Sequence, residues 1–141
     1  MSEMPSKAEI QAFLEKAFSR FECTIEAVGN KGATIRREIG ESELRPGGTV
    51  SGPTLMAMAD TALYVAIFGE IGIVPMAVTT NLNINFLRRP TANAAIIAVC
   101  KLMKVGKSLA VGEVALYSEG DAEPVAHVVG TYSIPRDSKP K

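Results

Sequence analysis

The chain has 141 residues, 47% of them hydrophobic, with 15 basic against 15 acidic side chains and so no formal net charge. That composition fits one globular domain with its own core and excludes disordered or collagen-like chains. With no basic surplus it argues against nucleic-acid binding, and one histidine (His127) with two distant cysteines (Cys23, Cys100) supplies no metal-ligand cluster.

The first residues, Met1 to Lys7, carry an acid and a proline where a secretory leader would carry positive charge and then an apolar run. This predicts a cytoplasmic protein, and two unpaired cysteines agree with a reducing compartment. A single domain over 1–141 is expected, with short flexible ends at about 1–5 and 136–141. Ser6-x-x-Glu9 is a capping-box pattern and opens the first helix. Ile10, Phe13, Leu14, Ala17, Phe18 and Phe21 then follow at helical spacing as one apolar stripe. Cys23 to Val28 and Ala33 to Ile39, joined by Gly29-Asn30-Lys31-Gly32, read as a hairpin, because those turn residues accept positive φ.

Glu41 to Gly52 reads as a loop rich in glycine and proline. Pro53 suits the first turn of a second helix capped by Ser51 or Gly52 and running to about Gly69 or Gly72. The apolar run from Pro53 to Val74 is nearly long enough to span a bilayer, but Asp60 and Glu70 interrupt it. A helix apolar on nearly every side then belongs inside a globular core, and no membrane is expected. After Pro75 the period becomes two: Val78, Thr80, Leu82, Ile84 and Phe86 alternate with Thr79, Asn81, Asn83 and Asn85, a strand with two unlike faces. Ala94 to Lys104, Leu109 to Tyr117 and Val125 to Ile134 read as further strands joined by tight turns. Together these predict an α+β fold, one helix swallowed by an antiparallel sheet, with a dimer or higher assembly covering what remains.

Asp60 is the residue most suggestive of chemistry. Its helical neighbours Pro53, Met56, Ala57, Leu63, Tyr64 and Ile67 include no cation, and an ionised carboxylate among apolar groups is costly unless it finds partners. Such a group can serve as base or nucleophile; it can equally cap a helix that begins at Thr61, or pair with a distant arginine. Upstream, Gly52 lies where free amides and the positive end of the helix dipole face outward, as a developing oxyanion requires, though a plain helix cap uses the same residues. No Gly-x-Ser-x-Gly surrounds Ser51, and His127 and the cysteines read as structural.

The motifs Gly48-Thr49-Val50-Ser51-Gly52-Pro53, Met58-Ala59-Asp60-Thr61-Ala62 and Val78-Thr79-Thr80-Asn81-Leu82-Asn83-Ile84-Asn85-Phe86-Leu87-Arg88-Arg89-Pro90 resemble those of hotdog-fold acyl-CoA thioesterases, in the branch of the phenylacetic-acid-degradation enzymes. Val105 to Ala110 and Val125 to Tyr132 extend the likeness over about Leu44 to Ile134. The resemblance implies an N-terminal helix and a long central helix wrapped by a five- or six-stranded antiparallel sheet. It implies hydrolysis of a small or medium acyl-CoA, aryl groups included. Asp60 would be the catalytic carboxylate, Gly52 the carbonyl-polarising amide supplied by a second chain, Thr79 the hydroxyl that places water, and Ser51 a helper. Coenzyme A, as part of the substrate and not as a cofactor, would meet Gly106, Lys107 and Ser108, with Arg88 and Arg89 on its phosphates. The implied assembly is a homodimer or homotetramer with sites across the dimer interface.

Relatives commonly read His-Gly-Gly where this chain has Ser51-Gly52-Pro53, and an asparagine where Arg45 stands; Pro53 also removes one amide. These departures leave a second expectation open, a non-catalytic acyl-CoA binding or sensing domain. A hotdog hydratase is weaker, since His127 lies at the wrong end of the chain for that motif.

Overall fold

The structure, a computed structural model, describes residues 4–18, 21–40, 44–91 and 93–135, and only the backbone of Arg45. Residues 1–3, 41–43 and 136–141, which include most of the expected flexible ends, lie outside the described residues. Helix α1 (Lys7–Ala17) starts at the predicted capping box: Ser6 Oγ accepts from the Glu9 amide at 3.1 Å and Glu9 Oε1 accepts from the Ser6 amide at 2.9 Å. It stops earlier than the apolar stripe suggested. Phe18 is already extended and half exposed, so Phe18 and Phe21 leave the helix and form a wall beside it.

Strands β1 (Cys23–Gly29) and β2 (Gly32–Arg37) form the expected hairpin. Asn30 and Lys31 sit at φ 52° and 61°, the two consecutive positive values of a type I′ turn, matched to the twist of the strands. The segment expected to be plain loop contains a small ribbon, β3 (Leu44–Arg45) on β4 (Thr49–Val50), closed by Pro46, Gly47 and Gly48. Gly47 and Gly48 both adopt positive φ, which lets so short a ribbon turn back on itself.

Helix α2 (Gly52–Ile71) begins at N-cap Ser51 and ends at Gly72. Strands β5 (Val78–Phe86), β6 (Ile96–Val105), β7 (Leu109–Ser118) and β8 (Ala126–Ser133) follow. The main sheet has six strands, all antiparallel, in the order β1-β2-β6-β7-β8-β5, and it wraps α2 in the hotdog arrangement. By length and composition α2 could cross a bilayer, yet 56% of its apolar window is buried inside the protein, so the sheet supplies its surroundings.

Leu63 shows how closely helix and sheet approach. Gly112 and Gly130 are paired neighbours on β7 and β8, and side chains there would meet the Leu63 methyls at 2.8 and 2.5 Å. Two bare glycines thus form a flat window for a knob of the helix. Phe68 is fully buried, edge-on to Phe13 at 5.8 Å and tilted on Tyr64 at 4.2 Å. Phe68→Ala should cost about 3–5 kcal/mol of folding free energy, read as a lower urea midpoint with an unchanged slope.

One stripe of α2 is not covered by its own sheet. Pro53, Met56 and Ala57 are exposed, and Asp60, Thr61 and Tyr64 half-buried, at the three- and four-residue spacing of a single face. The two sheet edges also differ. Gln11 of α1 docks on the β1 edge, accepting from the Ile25 amide at 2.8 Å and donating to the Cys23 carbonyl at 3.0 Å. Among the described residues nothing comparable covers β5.

Candidate active site

Asp60 lies in the middle of α2, on its uncovered stripe. It lies inside the helix rather than at its cap, and among the described residues no arginine pairs with it; its partners there are hydroxyls. Thr79 Oγ1 donates to Asp60 Oδ1 at 2.5 Å and the Tyr132 hydroxyl donates to the same oxygen at 2.7 Å. The Tyr132 hydroxyl is also 3.1 Å from the Asp60 carbonyl oxygen. Among the described residues, no group donates to Asp60 Oδ2.

The strict alternation expected for β5 would turn Thr79 away from the helix with Asn81, Asn83 and Asn85. The structure reverses this. Thr79 pairs with Tyr132 and Asn81 with Thr131, so Thr80 is an unopposed extra residue and the strand bulges. Residues directly opposite in a ladder share a face, and Tyr132 faces the core with Val128 and Ala126. The bulge thereby brings Thr79 onto the inner face beside Asp60.

Tyr132 is absent from the residues singled out by sequence. Its signal was a tyrosine closing the inward-facing series Ala126, Val128, Gly130 and Tyr132, a place where a phenol must find a partner. Burial raises its hydroxyl far above the ordinary tyrosine range, the neighbouring Thr79 hydroxyl opposes this, and the Asp60 charge adds to it. The phenol therefore stays protonated, and a donor, at any pH of use. Tyr64 is raised by burial and by Asp60 as well, and donates to the Pro75 carbonyl at 3.0 Å.

This cluster opens on a cavity of about 490 Å³, within the size range of small-ligand sites. Its walls include Leu14, Phe18, Phe21 and Tyr64, together with Cys23 and the Arg37–Glu22 pair at 3.2 Å. Burial pushes the Cys23 thiol up to about 11 and the Cys100 thiol up to about 12, so neither is a thiolate nucleophile near neutral pH. Among the described residues no group of three His, Cys, Asp or Glu comes together. His127 is on the outer face of the sheet, its Nε2 2.9 Å from Glu113 Oε1, and does not line the cavity.

Gly52 lies elsewhere. Ser51 Oγ caps α2 by accepting from the Thr54 amide at 3.3 Å and lies 2.8 Å from the Thr54 hydroxyl, so its side chain is engaged locally. Gly52 is the first helical residue, and its N–H has no acceptor within the helix. The Phe86 ring covers it: a β-carbon on Gly52 would stand 3.1 Å from Phe86 Cζ. Together with Phe86, Arg88, Arg89 and Pro90, Gly52 lines a second cavity of about 450 Å³. Arg88 donates to the Pro124 carbonyl at 3.2 Å and pairs with Glu123 at 3.4 Å at the exposed surface. Arg45, in the ribbon above, has no described side chain.

Within one chain these residues form two separate groups. Asp60, Thr79 and Tyr132 lie at one end of the sheet, joined by the Gly106-Lys107-Ser108 turn, where the Ile134 amide donates to the Ser108 carbonyl at 2.8 Å. Gly52, Arg88 and Arg89 lie at the other end. Asp60 is eight residues along α2 from Gly52, roughly 12 Å of helical rise, and Thr79 is seven along β5 from Phe86, roughly 23 Å.

A family model of the thioesterase superfamily matches residues 47–125. A candidate thioesterase of Silicibacter sp. TM1040 is 39% identical, with 96% of this chain and 95% of that one covered at a TM-score of 0.85. The Escherichia coli PaaI protein of the phenylacetic acid degradation operon has the same fold at 20% identity, with 94% of each chain covered and a TM-score of 0.77. So does a hypothetical thioesterase of Streptococcus pneumoniae TIGR4 solved with coenzyme A, at 15% identity, covering 96% and 100% with a TM-score of 0.77. A search of curated proteins returns no match. The family match spans more than half of the chain, the Silicibacter likeness nearly all of it, and both meet on the helix that carries Asp60: the protein belongs to the thioesterase superfamily, a thioester hydrolase built on the hotdog fold.

Proposed function

We propose that the protein hydrolyses small or medium acyl-CoA thioesters, aryl groups included, to the free acid and coenzyme A, in a homodimer whose sites each join Asp60 of one chain to Gly52 of the other. The observation that carries this reading is an Asp60 carboxylate lining an aromatic-walled cavity, with one oxygen held by two hydroxyls and the other not held by them. Water held by Thr79 loses a proton to the carboxylate as its oxygen attacks the thioester carbon. The carbonyl electron pair moves onto oxygen, where the Gly52 amide of the second chain stabilises it. Collapse of that intermediate breaks the C–S bond, and the proton held by Asp60 passes to the leaving thiolate. Attack by the carboxylate itself needs nearly the same geometry and remains the variant scheme.

The separation of the two groups and the bare edge of β5 support two-chain sites. An antiparallel copy on that edge sets the Thr79 end of one strand beside the Phe86 end of the other. Val78 and Phe86, 54% and 55% exposed, and the open stripe of α2 would then be covered. A tetramer would cover Val99, Met103 and Val129 on the outer sheet face as well. In the dimer, Gly106, Lys107 and Ser108 of one chain and Arg88 and Arg89 of the other converge around the coenzyme A end of the substrate. A cytoplasmic location suits two cysteines that remain free, buried thiols.

The test is free-thiol release across a panel of aryl and medium-chain acyl-CoAs. Turnover is expected. The double variant Arg88→Ala/Arg89→Ala should raise KM roughly tenfold or more, while KM for a truncated thioester without the nucleotide stays unchanged. Saturable acyl-CoA binding with no turnover anywhere in the panel would overturn hydrolysis in favour of a binding domain, the reading that the engaged Ser51 side chain supports.

A further inference from the structure

The Asp60 cluster holds one group that the hydrolytic scheme does not use, the Tyr132 hydroxyl. Tyr132 is 3% exposed and comes from β8, while Thr79 comes from β5, so two different strands deliver donors to one carboxylate. Both donors choose the same oxygen, Oδ1, at 2.7 and 2.5 Å. A phenol has a single proton, and the shorter contact is to the charged oxygen, with the Asp60 carbonyl second at 3.1 Å. The last torsion of an aspartate is broad and nearly two-fold, so an unheld carboxylate exchanges its two oxygens freely. Two donors on one oxygen remove that freedom. The Thr79 proton is also committed to Oδ1, which leaves the Thr79 oxygen able only to accept, as it would from a water.

We propose that Tyr132 is a positioning residue: with Thr79 it pins Asp60 Oδ1, so that Oδ2 alone is presented to the thioester and takes the proton of the attacking water. This inference rests on the acyl-CoA hydrolase reading. Tyr132 need not touch the substrate; it acts through Asp60. The stacking of its ring on Tyr64, with centroids 5.9 Å apart, does not depend on the hydroxyl, so Tyr132→Phe keeps the packing.

Tyr132→Phe and Asp60→Asn, singly and combined, are compared with the wild-type chain on the best acyl-CoA of the panel, with thermal unfolding confirming that each is folded. The expected result is a roughly 10- to 100-fold fall in kcat for Tyr132→Phe at unchanged KM, the loss of a hydrogen bond to a charged group. In the Asp60→Asn background, Tyr132→Phe should lower turnover no further. An unchanged kcat, or the same further fall in the Asp60→Asn background, overturns the inference and leaves the hydrolase reading intact. Wild-type turnover in Asp60→Asn removes Asp60 from the mechanism and overturns this inference while hydrolysis stands; no turnover in the wild-type chain overturns the hydrolase reading and this inference with it.

Discussion

Replacing Asp60 by asparagine should abolish nearly all thioester hydrolysis, by roughly 10²- to 10⁴-fold in kcat, the range that a positioned general base contributes. Asparagine keeps the size of the side chain and still accepts from Thr79 and Tyr132 through its carbonyl oxygen, so the local hydrogen bonds at 2.5 and 2.7 Å survive. What it loses is the capacity to take a proton or to attack carbon. The variant should fold normally and bind acyl-CoA with near wild-type affinity, measured by calorimetry. Near wild-type turnover in the folded variant would remove Asp60 from the mechanism.

The second large effect tests whether one site needs two chains. Gly52→Pro removes the amide hydrogen at the first helical position, where proline suits the backbone, with the Phe86 ring, 3.1 Å from where the added β-carbon would stand, having to shift; it should cost roughly 10²- to 10³-fold in kcat. Alone, each of Gly52→Pro and Asp60→Asn is nearly inactive. Refolded together in equal amounts, they should recover about one quarter of wild-type activity: half of the dimers are mixed, and each mixed dimer has one site free of both lesions. If Asp60 and Gly52 worked within one chain, mixing would recover nothing. The roughly 12 Å of helix between them is why recovery is expected.

The stripe of α2 that carries Asp60 is the one the chain's own sheet leaves open, and the β5 edge is the one α1 does not cover. A copy docked on that edge would lie over that stripe. Catalysis and assembly would then use one surface, and a substitution that separates the chains should silence an otherwise intact carboxylate.

Much of this was legible in the order of residues, because it depends on short-range physics. The capping box at Ser6 and Glu9, the positive-φ turn at Asn30 and Lys31, the Ser51 cap ahead of Pro53 and the unpaired acid within an apolar helix each involve neighbours a few positions apart. The period of two in β5 marked a strand in the same way. Tertiary structure alone decided the rest. Thr79 turns inward because one extra residue, Thr80, has no partner across the ladder, and that count depends on a strand some fifty positions later. Tyr132 reaches Asp60 across 72 positions of sequence, and Phe18 leaves its helix to wall a cavity. Hydrophobic period and caps act within a turn or two of chain, whereas register, bulges and the convergence of hydroxyls on one oxygen exist only once distant strands have paired.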